Sequence, residues 1–191
     1  LRAETLVRTR GVDASGEVEI YHDRIRDIVM KGLPPEEAKR LHMKLGRALS
    51  AEGDAADAEA IATHFKLADQ VALAAQYAEK AADRASNALA FGRAAAMYEM
   101  AIELQSGASE GSSEGSDVLL LKLAEALVSA GRNREAADRF LQMAEGASPM
   151  DALELRRRAA EQMLFSGQLA LGMKIIEQLL DAMKMRTPTT P

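Results

Sequence analysis

His22, His42 and His64 are the only imidazoles in the 191-residue chain, and His22-Asp23 is its single His-Asp step. A His-Asp pair can begin a metal phosphohydrolase site. That chemistry needs several further His and Asp from separate helices to hold a cation, and no suitable acidic spacing accompanies His42 or His64. The simpler expectation is that His22 or Asp23 caps the helix that follows it, and that His64, beside Phe65, packs between helices. No serine has a recognisable base partner, and with no Cys there is no thiolate nucleophile or thiolate metal site. Glu36-Glu37 falls in the first turn of a helix, where carboxylates favour the macrodipole and imply no pocket. Arg156-Arg157-Arg158 lies among Glu154 and Glu161, a solvated face with i, i+3 and i, i+4 pairing. Gly111-Ser112-Ser113-Glu114-Gly115 has the composition of a phosphate loop but no following Lys and no preceding strand. The expectation is therefore a segment with no catalytic, cofactor-binding or metal-binding residues of its own. A cryptic hydrolase would rest on His22-Asp23 alone.

The elements that carry these residues are mostly helical. Apolar residues make up 48% and aromatics 4%, with no Trp, so alanine and leucine must build the core. That mix suits helices packed closely through small side chains. Leu6–Thr9 and Val18–Tyr21 flank Gly11–Gly16, with Val18 and Ile20 alternating about Glu19, which predicts a small N-terminal β-hairpin. A helix over 22–31 follows, with Ile25, Ile28 and Val29 on one face. Pro35 suits the first turn of the next helix. From Glu36 the pattern predicts helices over 36–51, 56–68, 70–87, 90–104, 117–130, 133–145, 150–166 and 168–185. Breaks fall at Gly53-Asp54, Gly131, Gly167 and Ser148-Pro149. Residues 105–116, QSGASEGSSEGS, read as a flexible loop. No stretch is long and apolar enough to cross a bilayer. The lack of Cys fits a cytoplasmic setting, and the start without Met reads as an excised segment.

A period check exposes a repeat. Phe91-x-x-Ala94-x-x-x-Tyr98-x-x-Ala101 resembles the second helix of a tetratricopeptide repeat, with Ala78, Ala81, Ala82 and Ala85 on one face of the first helix. Leu120, Leu123, Ala124 and Leu127 then precede Ala136, Phe140 and Met143. Arg156, Ala159, Ala160 and Met163 precede Gly172, Ile176 and Leu179. A weaker unit has Leu45, Ala48 and Leu49 before Ile61, Phe65 and Ala68. The resemblance implies an all-α, right-handed α-α superhelix of tetratricopeptide-like helical hairpins. A non-repetitive bundle with Ala-rich interfaces is the competing architecture.

A second resemblance rests on Tyr21–Val29 (YHDRIRDIV), Leu33–Glu37, Leu41-His42 and Ala62-x-His64-Phe65. It is similar to the region after the NTPase core in large bacterial STAND/AAA-type signalling ATPases, often fused to Ser/Thr protein kinase modules. It implies that residues 1–35 end a winged-helix-like domain. A degenerate helical pair (36–69), one repeat (70–104), the loop (105–116), two further repeats (117–186) and a tail (187–191) would follow.

First helices of such repeats line the concave face. By register the candidate partner groove is Gln76, Glu79, Asp83, Ser86 and Asn87, then Leu121, Glu125 and Ser129 with Val118 and Val128, then Glu154, Arg157 and Glu161 with Leu164 and Phe165. Asp83, Glu125 and Glu161 occupy equivalent places, where a carboxylate clamp would carry Lys and Asn. The groove is thus expected to suit a basic or amphipathic segment, or another domain of the same chain. Met173, Met183 and Met185 on the last helix mark an apolar edge through which the array could oligomerise. The net charge of −5 is concentrated in residues 48–116, which hold four Lys/Arg against eleven Asp/Glu. That argues against nucleic acid there. The alternative function, nucleic-acid binding by the winged-helix remnant, would use Arg2, Arg8 and Arg10.

Overall fold

The computed structural model describes residues 31–53, 57–108 and 113–185, together with Ile28 and the backbone of residues 7–10 and 17–20. Val7–Arg10 and Glu17–Ile20 lie antiparallel with Val7 opposite Ile20. The intervening turn and all side chains there lie outside the described residues, so the predicted hairpin does not enter the account of the fold. His22, Asp23 and most of the helix predicted over 22–31 also lie outside them.

Eight helices make up the rest of the described chain: α1 Pro35–Ser50, α2 Ala58–Leu67, α3 Val71–Asn87, α4 Phe91–Ala108, α5 Ser113–Ser129, α6 Asn133–Gly146, α7 Pro149–Phe165 and α8 Leu169–Ala182. Helix starts follow local chemistry. Pro35 and Pro149 sit where a missing N–H costs nothing. The Asp57 carboxylate accepts from the amides of Glu59 and Ala60 to cap α2, and Ser148 caps α7 by accepting from Asp151.

The ends are more uniform still. After α3, α5 and α7 the chain reverses through one left-handed residue: Leu89 (φ 59°), Gly131 (φ 74°) and Gly167 (φ 79°). Each time the next amide closes back on the carbonyl five residues earlier: Ala90 to Ala85 (2.8 Å), Arg132 to Leu127 (2.9 Å) and Gln168 to Met163 (2.9 Å). This is the Schellman closure of a helix end. Gly131 and Gly167 match the predicted breaks; Leu89 adopts the same conformation without being glycine. The short turns force antiparallel neighbours. All the substantial helix–helix packing among the described residues is between helices consecutive in sequence. That is a one-dimensional array of hairpins, as in helical-repeat proteins.

One difference concerns residues 105–116. Helix α4 runs on to Ala108 and α5 begins at Ser113, so the connection is far shorter than the predicted loop. The Ser106 hydroxyl donates to the Ile102 carbonyl, 2.8 Å away, within the helix. Helices already nucleated by packing propagate at little further cost, and this outweighs the loop-like composition.

The core is continuous from Ala62 of α2 to Met163 of α7. Its α3–α4 section is built from alanines: Ala78, Ala82, Ala94, Ala95 and Ala101 are each fully buried, around Tyr98. Its α5–α7 section uses larger groups, with Leu119, Leu123, Leu127 and Phe140 almost wholly enclosed. Ile61 and Phe65 of α2 and Ala74 of α3 form a smaller cluster, with Met43 and Leu49 of α1 packed against it. Two glycines make close approaches. A Cβ on Gly46 would lie 3.0 Å from the Phe65 ring, and one on Gly172 would lie 2.8 Å from Leu164 and 3.2 Å from the Ala160 carbonyl. Gly172 thus holds α8 against α7 as the buried Ala94 and Ala136 serve the two preceding hairpins.

Candidate functional site

The first helices of three successive hairpins, α3, α5 and α7, are joined side to side by charge. The Lys122 ammonium of α5 reaches back to Glu79 at 2.9 Å and to both oxygens of Asp83 at 3.0 and 3.2 Å on α3. The Asp83 carboxylate also accepts from the Tyr98 hydroxyl of α4, 2.5 Å away. One hairpin on, the Arg158 guanidinium of α7 reaches Glu125 of α5 at 3.3 Å. Each cation also stands over the aromatic ring of the preceding second helix. Lys122 is 5.9 Å from the Tyr98 centroid, and Arg158 is 4.3 Å from that of Phe140. Lys122 and Arg158, Asp83 and Glu125, Tyr98 and Phe140 are equivalent pairs in the repeat. The same three-part join is therefore built twice.

Electrostatics follow from these contacts. Burial alone would lower the Lys122 pKa, but the Glu79 and Asp83 carboxylates outweigh it and hold the ammonium charged. Burial, then the bond to Asp83, raises the Tyr98 phenol well above its ordinary range. On α7, Arg157 donates to both oxygens of Glu154 at 2.8 Å and to Glu161 at 3.4 Å. These bonds raise Arg157 and hold Glu154 below the usual carboxylate range.

The predicted groove residues lie on α3, α5 and α7. Gln76 and Asn87 are exposed, and Glu79, Asp83 and Ser86 half-buried, on α3. Leu121 is half-buried and Glu125 and Ser129 exposed on α5; Glu154, Arg157 and Glu161 are exposed on α7. The structure brings Glu79 and Asp83 together on Lys122, and Glu154 and Glu161 on Arg157. Gln76, Ser86, Asn87 and Ser129 take no part in these bonds. Lys122 and Arg158, which organise the face, were not among the residues the register selected. Their signal was available: a cation three residues before the carboxylate recurs as Lys80/Asp83, Lys122/Glu125 and Arg158/Glu161. Apolar groups lie among the charges. Val118 is 56% and Phe165 69% exposed, with Leu121, Val128 and Leu164 half-buried.

Two other places could carry chemistry. His42 of α1 and His64 of α2 meet with their Nδ1 atoms 3.0 Å apart and their ring centroids 5.2 Å apart. The nitrogens thus lie close to the line joining the rings, which meet edge to edge and share one proton in an N–H···N bond. A cation bound to both at about 2.0–2.1 Å would need both lone pairs swung off that line. Among the described residues no group of three His, Cys, Asp or Glu could hold a metal ion. Separately, an open depression of about 250 Å³ is floored by Ala81, Ala85 and Ala88 and rimmed by Arg84, Glu59 and Arg93. The Glu59–Arg93 ion pair (2.5 Å) ties α2 to α4 beside it. Among the described residues no helix is long and apolar enough to cross a membrane.

No protein-family profile matches the sequence. No curated protein matches it either. Solved structures to which the chain is similar include two crystal structures of a Podosopora anserina putative kinesin light chain with nearly identical TPR-like repeats, one of them a single-residue variant. Identity is 16% in both, with TM-scores of 0.44 for the variant and 0.45 for the other. The match covers 84% of this chain and 82% or 83% of theirs. The assignment of helical repeats here rests on the chain's own register, turns and packing.

Proposed function

We propose that the chain is a non-catalytic protein-binding scaffold whose partner lies along the shared face of α3, α5 and α7. The observation that carries this is the twice-built join of Lys122 and Arg158, which sets three first helices side by side and leaves apolar groups open between the ion pairs. Repeat arrays of this kind present extended surfaces rather than pockets. The partner is a protein or peptide segment, including another domain of the same chain.

The pairing sharpens the partner's chemistry. Glu79, Asp83, Glu125, Glu154 and Glu161 each have a cation within the chain. A purely basic ligand would have to displace those cations, and exposed ion pairs return little for it. An amphipathic segment is the better fit: its apolar residues cover Val118, Leu121 and Phe165 while its charges join the rim.

The wider setting is part of the same proposal. The similarity of Tyr21–Val29 and the motifs after it to STAND/AAA-type signalling ATPases supports a regulatory arm in a cytoplasmic signalling protein, restraining or sensing through this face. The chain itself would then perform no catalysis.

A photo-crosslinking amino acid placed at Val118 or Leu121, expressed in the source cell, tests the proposal. The expected result is a discrete protein adduct from these positions and none from Gln142 on α6. Equal labelling from all three positions would count against a dedicated face.

A further inference from the structure

Among the described helices α1 packs substantially on α2 alone. Its seat there has an apolar part and a polar part. Gly46 lies against the Phe65 ring, and Met43 and Leu49 are half-buried beside Ile61 and Phe65. Lys39 bonds Asp69, just past the end of α2, at 2.5 Å. Between these two parts His42 meets His64, and both rings are half-buried.

The histidine contact depends on a proton count. An Nδ1–Nδ1 separation of 3.0 Å is a hydrogen bond only when one nitrogen carries a proton and the other a lone pair. Two neutral rings meet that condition. One added proton can go to the far nitrogen, Nε2, of the donor ring and leave the bond intact. A second must take the shared lone pair. Two N–H groups then face each other, and two positive charges lie at contact distance.

The surroundings do nothing to relieve that charge. Among the described residues, burial and His42 are what act on His64, and no carboxylate does. Helix α3 packs on α2 through Ala74 and Tyr77 and brings no charge to bear on the ring. On α1 the charged group in register with His42 is Lys39, three residues before it and a further cation; on α2 Lys66, two residues after His64, is exposed.

We infer that the His42–His64 pair is a proton-operated latch: acid breaks it, α1 swings off α2, and the Ile61–Phe65 face beneath becomes a surface that neutral pH keeps covered. The rest of the array stays folded as α1 leaves. Ala62 ties α2 into the main core, and α3 to α8 contain no histidine. The sign follows from the closed state. Burial and His42 hold the His64 pKa below its ordinary 6.5. The latch is therefore shut above that value, and opening grows as pH falls below it. The device lies outside the α3–α5–α7 face and does not depend on what that face binds.

Hydrogen exchange of the full 191-residue chain, read by mass spectrometry over peptides of α1, α5 and α6, tests the latch. The range is about pH 7.5 to 5, with each rate corrected for intrinsic exchange at that pH. The expected result is that α1 protection falls with pH, by up to about tenfold per unit for each proton taken up on opening, while α5 and α6 keep theirs. In His42→Gln/His64→Gln two amides can still bond across the interface without titrating, and α1 protection should stay level. His42→Phe/His64→Phe keeps two facing rings and is the second non-titrating form, should the glutamine pair fail to seat α1. Lys39→Ala should lower α1 protection at every pH and leave the slope unchanged. Protection of α1 that does not vary with pH in the unaltered chain, a slope that persists in both non-titrating forms, or loss of protection in α5 and α6 in step with α1 would overturn the inference.

Discussion

Asp83 and Glu125 hold the same place in successive repeats, carry the same charge and receive the same kind of cation, yet truncating them should cost different amounts. Asp83→Ala removes the acceptor of the Tyr98 hydroxyl, which is 2.5 Å away on a residue only 3% exposed. A buried hydroxyl left without a partner costs about 1–3 kcal/mol. The substitution also takes one of two carboxylates from Lys122, which keeps Glu79 at 2.9 Å. At this exposure that loss is at most about 1 kcal/mol. Alanine returns a few tenths through helix propensity, on the order of 0.5 kcal/mol, and the net loss comes to about 2 kcal/mol. Glu125→Ala loses one exposed contact at 3.3 Å, while Arg158 keeps its place over Phe140 at 4.3 Å. Its expected cost is about 0–0.5 kcal/mol. Urea denaturation followed by circular dichroism at about 222 nm, the helical band, measures both. A Tyr98→Phe background isolates the cause, since with no hydroxyl to orphan, Asp83→Ala should fall to about 1 kcal/mol or less. Equal losses for the two alanine variants, or an undiminished loss in the Tyr98→Phe background, would refute the reasoning.

The remaining expectations concern turns, close approaches and pH. Leu89 is left-handed (φ 59°) and 73% exposed, where Gly131 and Gly167 serve the equivalent turns; Leu89→Gly should raise stability by about 0.5–1 kcal/mol and Gly131→Ala lower it by about 1 kcal/mol, both read from urea midpoints. Gly172→Ala forces a Cβ to within 2.8 Å of Leu164, and the overpacking should exceed the propensity gain and leave a loss of about 1 kcal/mol. Gly92→Ala in α4 meets nothing within 4 Å and should be neutral or slightly stabilising. Burial first, then the neighbouring His42, lowers the His64 pKa from its ordinary 6.5. The folded state thus favours the neutral ring, and stability present above pH about 6.5 should drain away as pH falls below it. His64→Gln should flatten that acid limb between about pH 7.5 and 5, and an unchanged slope would detach the effect from this pair.

How much the sequence disclosed depends on whether a feature is local. Helix boundaries at Pro35, Pro149, Gly131 and Gly167 were legible because one residue's backbone chemistry dictates each. The turn at Leu89 offered no such mark, since the left-handed residue is imposed by the same hairpin closure without the glycine that usually announces it. The alanine face of α3 was readable from its i, i+3, i+4, i+7 spacing, and all four residues are buried. The 105–116 segment misled because serine and glycine describe a loop only where packing does not already hold the helix. The groove residues followed from register, but their partners did not. On a single helix Lys122 and Arg158 look like ordinary solvated charges, and only the stacking of one hairpin on the next gives them their carboxylates. That stacking is also why the acidic tally of residues 48–116 overstated the negative character of the face: Glu79 and Asp83 are met by Lys122, from outside that segment.

The central claim is that the α3–α5–α7 face binds a protein partner through its apolar strip. The protein captured by crosslinking at Val118, titrated calorimetrically against the unaltered chain and against Leu121→Asp, tests it most directly. Leu121 is half-buried at the edge of the core, so Val118→Asp, at a site 56% exposed, serves as the second variant. The account predicts an affinity loss of about tenfold or more in both, with circular dichroism unchanged. An affinity within about twofold of the unaltered chain for both folded variants would contradict it.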